Sequence, residues 1–319
     1  MGLIADLNPT NYQEEKTRFL ADPTFNPRFT YTRKFDHEEL ISHGFPQEKY
    51  FHLAEKILEK TFEQYSPEDI VLKRGPLLDQ EIVTRIVKKF LELHNLVEKI
   101  EILWSEDFVG RTAVAGNTIK FRYPCSIRAG DLEGLIFHEV GTHVLRTINY
   151  KQQPWYKKKK LFGFQPYLRT EEGLSVIHMI FPKSISLAYM PAINYIATYK
   201  AQHGSFLEVW QFLKQYIPKD EVAFVSAFKK KRGITDTGQS GGFTRDVVYL
   251  EGFVDTINFL INNNFPLKEL YFGKLAYQDI DKALTLNPDF KPILPIFYTQ
   301  DPTIYQERVR EIAQINFIT

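Results

Sequence analysis

A single cysteine, Cys125, occurs in 319 residues. One thiol excludes an intrachain disulfide and a cysteine-based zinc site. Cys125 itself is expected as a small buried hydrophobe. Excess charge of one sign is also missing: 40 Lys and Arg oppose 39 Asp and Glu, for a net charge of +1. That balance gives no electrostatic case for nucleic acid or an anionic membrane as partner. No run of about 18 apolar residues occurs, so no membrane span is expected. The opening residues, Met1-Gly2-Leu3-Ile4-Ala5-Asp6, lack the basic stretch and long apolar run of a signal peptide. Gly2 follows Met1, but Asp6 stands where a myristoylation signal carries Ser or Thr. The expected setting is reducing and cytoplasmic. Internal repeats and low-complexity tracts are absent too.

What is present suits an ordinary globular chain, with 44% hydrophobic and 25% charged residues. Its 26 Phe and 17 Tyr favour a well-filled core and an aromatic-lined cleft. We expect one domain over 1–319, with a helical amino-terminal part (1–97) and a catalytic part (98–319).

Hydrophobic periodicity orders the chain. Residues 11–20 predict a short helix, and 22–35, with Pro23 and Pro27, an extended surface segment. Residues 46–65 predict an amphipathic helix burying Phe51, Ala54, Ile57, Leu58, Phe62 and Tyr65. Residues 79–94 predict another, with Ile82, Ile86, Phe90 and Leu93 on its apolar face. The period then shortens. Residues 99–104, 111–115 and 118–123 read as strands punctuated by Gly110 and Gly116-Asn117, a small antiparallel sheet with a hairpin. A helix over 131–148 follows, lined by Leu132, Leu135, Ile136, Val140, Val144 and Leu145. After a loop at 149–170 come helices at 171–180, 186–202, 205–216, 220–231 and 244–262, and a closing helix at 303–315. The basic runs 157–160 and 229–232 are expected to be solvated. The fold class is α+β, mostly helical, with the sheet just before the key helix.

That helix carries His138-Glu139-Val140-Gly141-Thr142-His143. In the common zinc motif the two histidines are four apart, about 40° around a helix. Here they are five apart, about 140° on a regular helix, too far to grip one ion. A π-type bulge resolves the misfit, and Gly141 is the residue expected to let the backbone deform. A catalytic zinc wants a third protein ligand. Arg169-Thr170-Glu171-Glu172-Gly173 offers two carboxylates at a helix start, where acidic residues also occur simply to suit the helix dipole. Spacing does not choose between Glu171 and Glu172.

The hexapeptide, followed by Glu171-Glu172-Gly173-Leu174-Ser175, resembles the tyrosine carboxypeptidase family that includes the microtubule-associated MATCAP enzymes. Bacterial relatives carry Gln-Glu-Gly-Leu-Ala at the second block. Residues 11–20 with 26–31 are similar to the family's amino-terminal segment. Residues 243–252, Phe-Thr-Arg-Asp-Val-Val-Tyr-Leu-Glu-Gly, are similar to a carboxy-terminal block. The resemblance implies a zincin-like metallopeptidase, with zinc held by His138, His143 and Glu172 and with Glu139 as general base. Glu171 and Ser175 depart from the Gln and Ala of the bacterial motif. This chain is shorter than the animal members and shows no long basic extension.

The implied chemistry is release of a C-terminal residue, tyrosine or another aromatic, from a protein or peptide. An oxyanion donor is then needed, and Tyr249, Arg245 and His178 are the candidates. Arg245 and Tyr249, four apart, are expected on one helix face. The substrate's carboxylate calls for a bidentate cation, Arg245 or Arg232. Glu171 or Glu251 is expected to orient a metal-bound imidazole, and strand 111–115 or 118–123 to pair with substrate backbone. Rival readings are an aminopeptidase or dipeptidyl-peptidase, and a non-catalytic metal-binding regulatory protein.

Overall fold

The computed structural model describes residues 3–106 and 110–318. It is α+β and mostly helical, with one three-stranded sheet. Contacts divide the chain into two compact units, each built from two segments. The first comprises Met1–Pro67 and Ala188–Leu250, the second Glu68–Leu187 and Glu251–Thr319. Among the described residues no helix is long and apolar enough to cross a membrane.

In the first unit the Glu48–Gln64 helix buries Ala54, Ile57 and Leu58 and packs on the Tyr189–His203 helix. Tyr195 Oη accepts the Gln47 amide at 2.7 Å, pinning the start of that pair. The Phe206–Lys214 helix begins at a reciprocal Ser205–Glu208 capping box. Phe19 meets Phe206 and Trp210 edge-on and Phe224 at a tilt, with centroids 5.1–5.4 Å away, in an aromatic core.

The basic run at 229–232 is not solvated as expected. Lys230, Lys231 and Arg232 are all buried. Lys230 pairs with Asp246 and reaches Asn194 Oδ1 at 2.7 Å. Lys231 Nζ is wrapped by the carbonyls of Ala201, Gly204 and Gln239. Their long apolar stems pack inward while each ammonium finds buried oxygens. A stretch of cations read alone does not reveal carbonyls supplied by distant segments.

In the second unit the Gln80–Glu92 helix starts at Asp79, whose carboxylate accepts the Ile82 amide at 2.7 Å. It buries Val83, Val87, Phe90 and Leu91, while Ile86 and Leu93 face solvent, so the buried stripe is rotated from the expected one. Apolar residues cover both stripes, which left the pattern ambiguous.

The sheet is mixed, not antiparallel. Its strands are β1 (Glu101–Ser105), β2 (Thr112–Ala115) and β3 (Thr118–Arg122), in the order β1-β3-β2. The hairpin turn, with Gly116 at φ 64°, sets β2 antiparallel to β3. Strand β1 joins the other edge of β3 and runs parallel to it, Trp104 opposite Phe121. Its direction is opposite to that of β2, so pairing with β3 rather than β2 makes it parallel.

After the sheet come Ala129–Ile136 (α), Phe137–Val144 (π) and Leu145–Lys151 (α), one continuous helix with a π segment in its middle. Leu132, Leu135, Ile136, Val140, Val144 and Leu145 are all buried, as the periodicity predicts. The Leu168–Ile180 helix packs across it. A Cβ at Gly134 would strike the Met179 carbonyl, and one at Gly173 would strike Gly252 of the Val247–Asn262 helix. Small residues at these crossings let the helix axes approach closely.

Candidate metal centre

The π segment does what the histidine spacing demands. Adding a residue to the turn brings positions five apart onto one face. The His138 and His143 rings meet with their Nε2 atoms 3.2 Å apart. Glu172, from the Leu168–Ile180 helix, brings Oε2 to 3.6 Å from His143 Nε2. One ligand atom from each of His138, His143 and Glu172 lies within 4.8 Å of the others. Ligands about 2.0–2.2 Å from a tetrahedral ion stand a little over 3 Å apart, so these three fit a zinc. The donor set, two imidazoles and a carboxylate, is also that of a catalytic site with a position left for water.

Gly141 has a different role from the one expected. It does not adopt positive φ, so backbone freedom is not what the position requires. A Cβ there would lie 2.7 Å from Cε1 of Phe297. Phe297 closes over the π segment and stacks on Phe137 at 4.2 Å. Tyr271 Oη donates to the Gly141 carbonyl at 2.6 Å, giving a backbone oxygen inside the distorted turn a partner.

Glu139 is buried, and Thr112 of β2 donates to its Oε1 at 2.6 Å. Strand β2 lies beside the π segment and is an edge of the sheet, whereas β3 is central and paired on both sides. Of the two strands considered for substrate pairing, geometry therefore leaves β2.

Of the two carboxylates expected to orient an imidazole, Glu171 is the one in contact with a ring: its Oε1 is 2.8 Å from His143 Nδ1. Glu251 is engaged elsewhere, 2.6 Å from Arg169 Nη1. Burial lowers the pKa of His143, but Glu172 and Glu171 more than offset it and raise it to about 10 without metal. For His138, burial dominates and lowers the pKa. Burial would raise the Glu171 carboxyl, yet Lys274, Arg146 and His143 hold it well below its ordinary range.

His178 is fully buried, with Nδ1 2.7 Å from Thr142 Oγ1 and Nε2 2.9 Å from Tyr305 Oη. Both nitrogens are engaged, and burial pushes its pKa well below normal, so it is a neutral packing residue rather than an oxyanion donor. In the 157–160 run, Lys157, Lys158 and Lys160 are exposed as expected. Lys159 turns inward, its Nζ 3.5 Å from the Tyr167 ring centroid and 4.6 Å from that of Tyr150. Burial, reinforced by Arg146, pulls it to about 7. Cys125 is half-buried rather than buried.

Arg232, Arg245 and Tyr249 belong to the first unit. Arg232 is buried with its guanidinium 5.0 Å from the Phe228 ring centroid. Arg245 and Tyr249 are half-buried. They do not share a helix face, because the helix starts at Val247 and Arg245 lies in the preceding turn.

The family profile of the microtubule-associated tyrosine carboxypeptidases matches residues 30–288. The chain belongs to this family. Among its relatives, a mouse protein named putative tyrosine carboxypeptidase MATCAP2 is 29% identical over 99% of this chain and 62% of its own length. Mouse microtubule-associated tyrosine carboxypeptidase 1 is 28% identical, over 98% of this chain and 68% of its own. The human protein of that name is 27% identical over the same shares. This chain thus spans about two thirds of the tyrosine carboxypeptidases it matches. The family match covers His138, His143 and Glu172, the whole of the cluster, and Glu139 beside it.

Proposed function

We propose that this chain is a zinc-dependent metallocarboxypeptidase of zincin-like fold that removes the C-terminal residue, tyrosine or another aromatic, of a protein or peptide in the cytoplasm. The observation that carries it is the convergence of His138, His143 and Glu172 beside the buried carboxylate of Glu139. The names of the relatives support the substrate class.

His138, His143 and Glu172 would hold the zinc, which would supply a water of lowered pKa and a Lewis acid for the scissile carbonyl. Glu139 is not one of the three clustered residues and serves as the general base. Thr112 occupies Oε1, which leaves Oε2 to take the water's proton and pass it to the leaving amine. The outer edge of β2 aligns the substrate backbone by strand addition.

A panel of peptides with free or blocked ends tests the activity. Cleavage is expected for free C-termini, whether or not the amino end is acetylated. Cleavage that survives C-terminal amidation but not N-acetylation would replace this reading with an aminopeptidase.

A further inference from the structure

We infer that Glu171 is the positioning carboxylate of this centre: it fixes the His143 ring and so sets how tightly the centre grips its ion. The inference rests on the zinc-centre reading above. Glu171 and Glu172 are neighbours on one helix, about 100° apart around its axis. They engage opposite nitrogens of the same imidazole. Glu172 Oε2 faces His143 Nε2 at 3.6 Å, and Glu171 Oε1 faces Nδ1 at 2.8 Å. An Nδ1–H donated to Glu171 leaves the Nε2 lone pair for a metal and makes the ring a stronger donor.

The brace is built into the fold. Glu171 is 1% exposed and Arg146 is 0% exposed. Arg146 Nη1 pairs with Glu171 Oε2. Its Nε reaches the carbonyls of Leu270 and Gly273 at 3.0 and 3.1 Å, and its Nη2 that of Leu275 at 2.8 Å. Lys274 Nζ adds a contact to Glu171 Oε1 at 3.1 Å. The segment 270–275 thus holds Arg146, Arg146 holds Glu171, and Glu171 holds His143. His138 differs: its buried Nδ1 has no hydrogen-bond partner among the described residues. One of the two imidazoles is braced and the other is not.

A glutamate suits this place in a way the bacterial motif's glutamine does not. A glutamine would still accept from Nδ1–H, but it would leave Arg146 and Lys274 facing a neutral group. Charge-assisted bonds are the stronger ones, so both the bond and its charge should register in metal affinity.

The test compares the full chain as wild type, Glu171→Gln, Glu171→Ala and Glu251→Gln. Glu251 is a buried carboxylate of the same unit that pairs with Arg169. The readouts are the Zn2+ dissociation constant, by competition with a chromophoric chelator, and thermal unfolding of each metal-free form. Glu171→Ala is expected to weaken zinc binding about tenfold to a hundredfold. Glu171→Gln, which is isosteric, should fall between it and wild type, and Glu251→Gln should bind as wild type. A purely structural role would lower metal-free stability and leave the zinc constant unchanged. Wild-type affinity in both Glu171 variants, or an equal loss in Glu251→Gln, overturns the inference alone. A wild-type protein that binds no zinc overturns the zinc-centre reading and the inference with it.

Discussion

Thr112 Oγ1 donates to Glu139 Oε1 at 2.6 Å, tying the proposed general base to the edge strand proposed to hold substrate. The bond links two elements with different proposed roles: a strand proposed to align a peptide and a helix proposed to hold a metal. It fixes which carboxylate oxygen is occupied and which is left to handle protons.

Thr112→Val keeps the shape of the strand and removes the donor. A hydrogen bond to a charged group is worth about 1.5–3 kcal/mol, so kcat should fall about tenfold or more, with zinc content unchanged. Steady-state kinetics with metal analysis checks this, and an unchanged kcat would remove Thr112 from the account.

Gly141→Ala should destabilise the fold by about 1–3 kcal/mol through overpacking, because its Cβ would meet Phe297 Cε1 at 2.7 Å. The backbone there needs no positive φ, so Phe297→Leu in the same chain should recover most of the loss. Denaturant melts of the single and double variants measure it. Failure of the second substitution to help would point to backbone strain instead.

The metal-free protein should carry a distinctive pH dependence. The folded pKa of His143 is about 10, raised from 6.5. A raised pKa stabilises the fold fully below about 6.5, and that contribution is lost as pH rises through about 10. Lys159 and Lys231 titrate in the same range, at about 7 and about 8. The quantity to compare is therefore chelated wild type against chelated His143→Gln. Their difference in thermal stability should shrink steadily between pH 6.5 and 10, and a constant difference contradicts the assignment.

Zinc should displace that same proton. Below about pH 10, binding is expected to release a proton from the His143 cluster. Calorimetric titrations in buffers of different ionisation enthalpy should therefore give different apparent heats at pH 8. Identical heats would mean that His143 enters the centre already neutral.

Much of the centre was legible from sequence because helix arithmetic is unforgiving. Two histidines five apart cannot share an ion on a regular helix, and the π segment lies over Phe137–Val144 as that argument required. The reason for Gly141 was not legible, since Phe297 arrives from more than 150 residues away in sequence. The division of labour proposed for Glu171 and Glu172 also depends on tertiary placement: Arg146 and Lys274, which pair with Glu171, are invisible to local spacing. The hairpin followed from Gly116-Asn117, whereas the parallel pairing of β1 did not, because nothing local says which edge a third strand joins. The helix expected from 244 starts at Val247, which takes Arg245 off it. Propensity alone rarely fixes a helix end to within a turn.

The central claim is tested most directly by metal content and cleavage measured together on wild type and Glu139→Gln. Wild type should carry about one zinc per chain and release tyrosine from a peptide ending in free Tyr, but not from its amide. Glu139→Gln should carry the same zinc and release nothing. Release of tyrosine by Glu139→Gln at the wild-type rate, or by wild type stripped of all metal, would contradict the account.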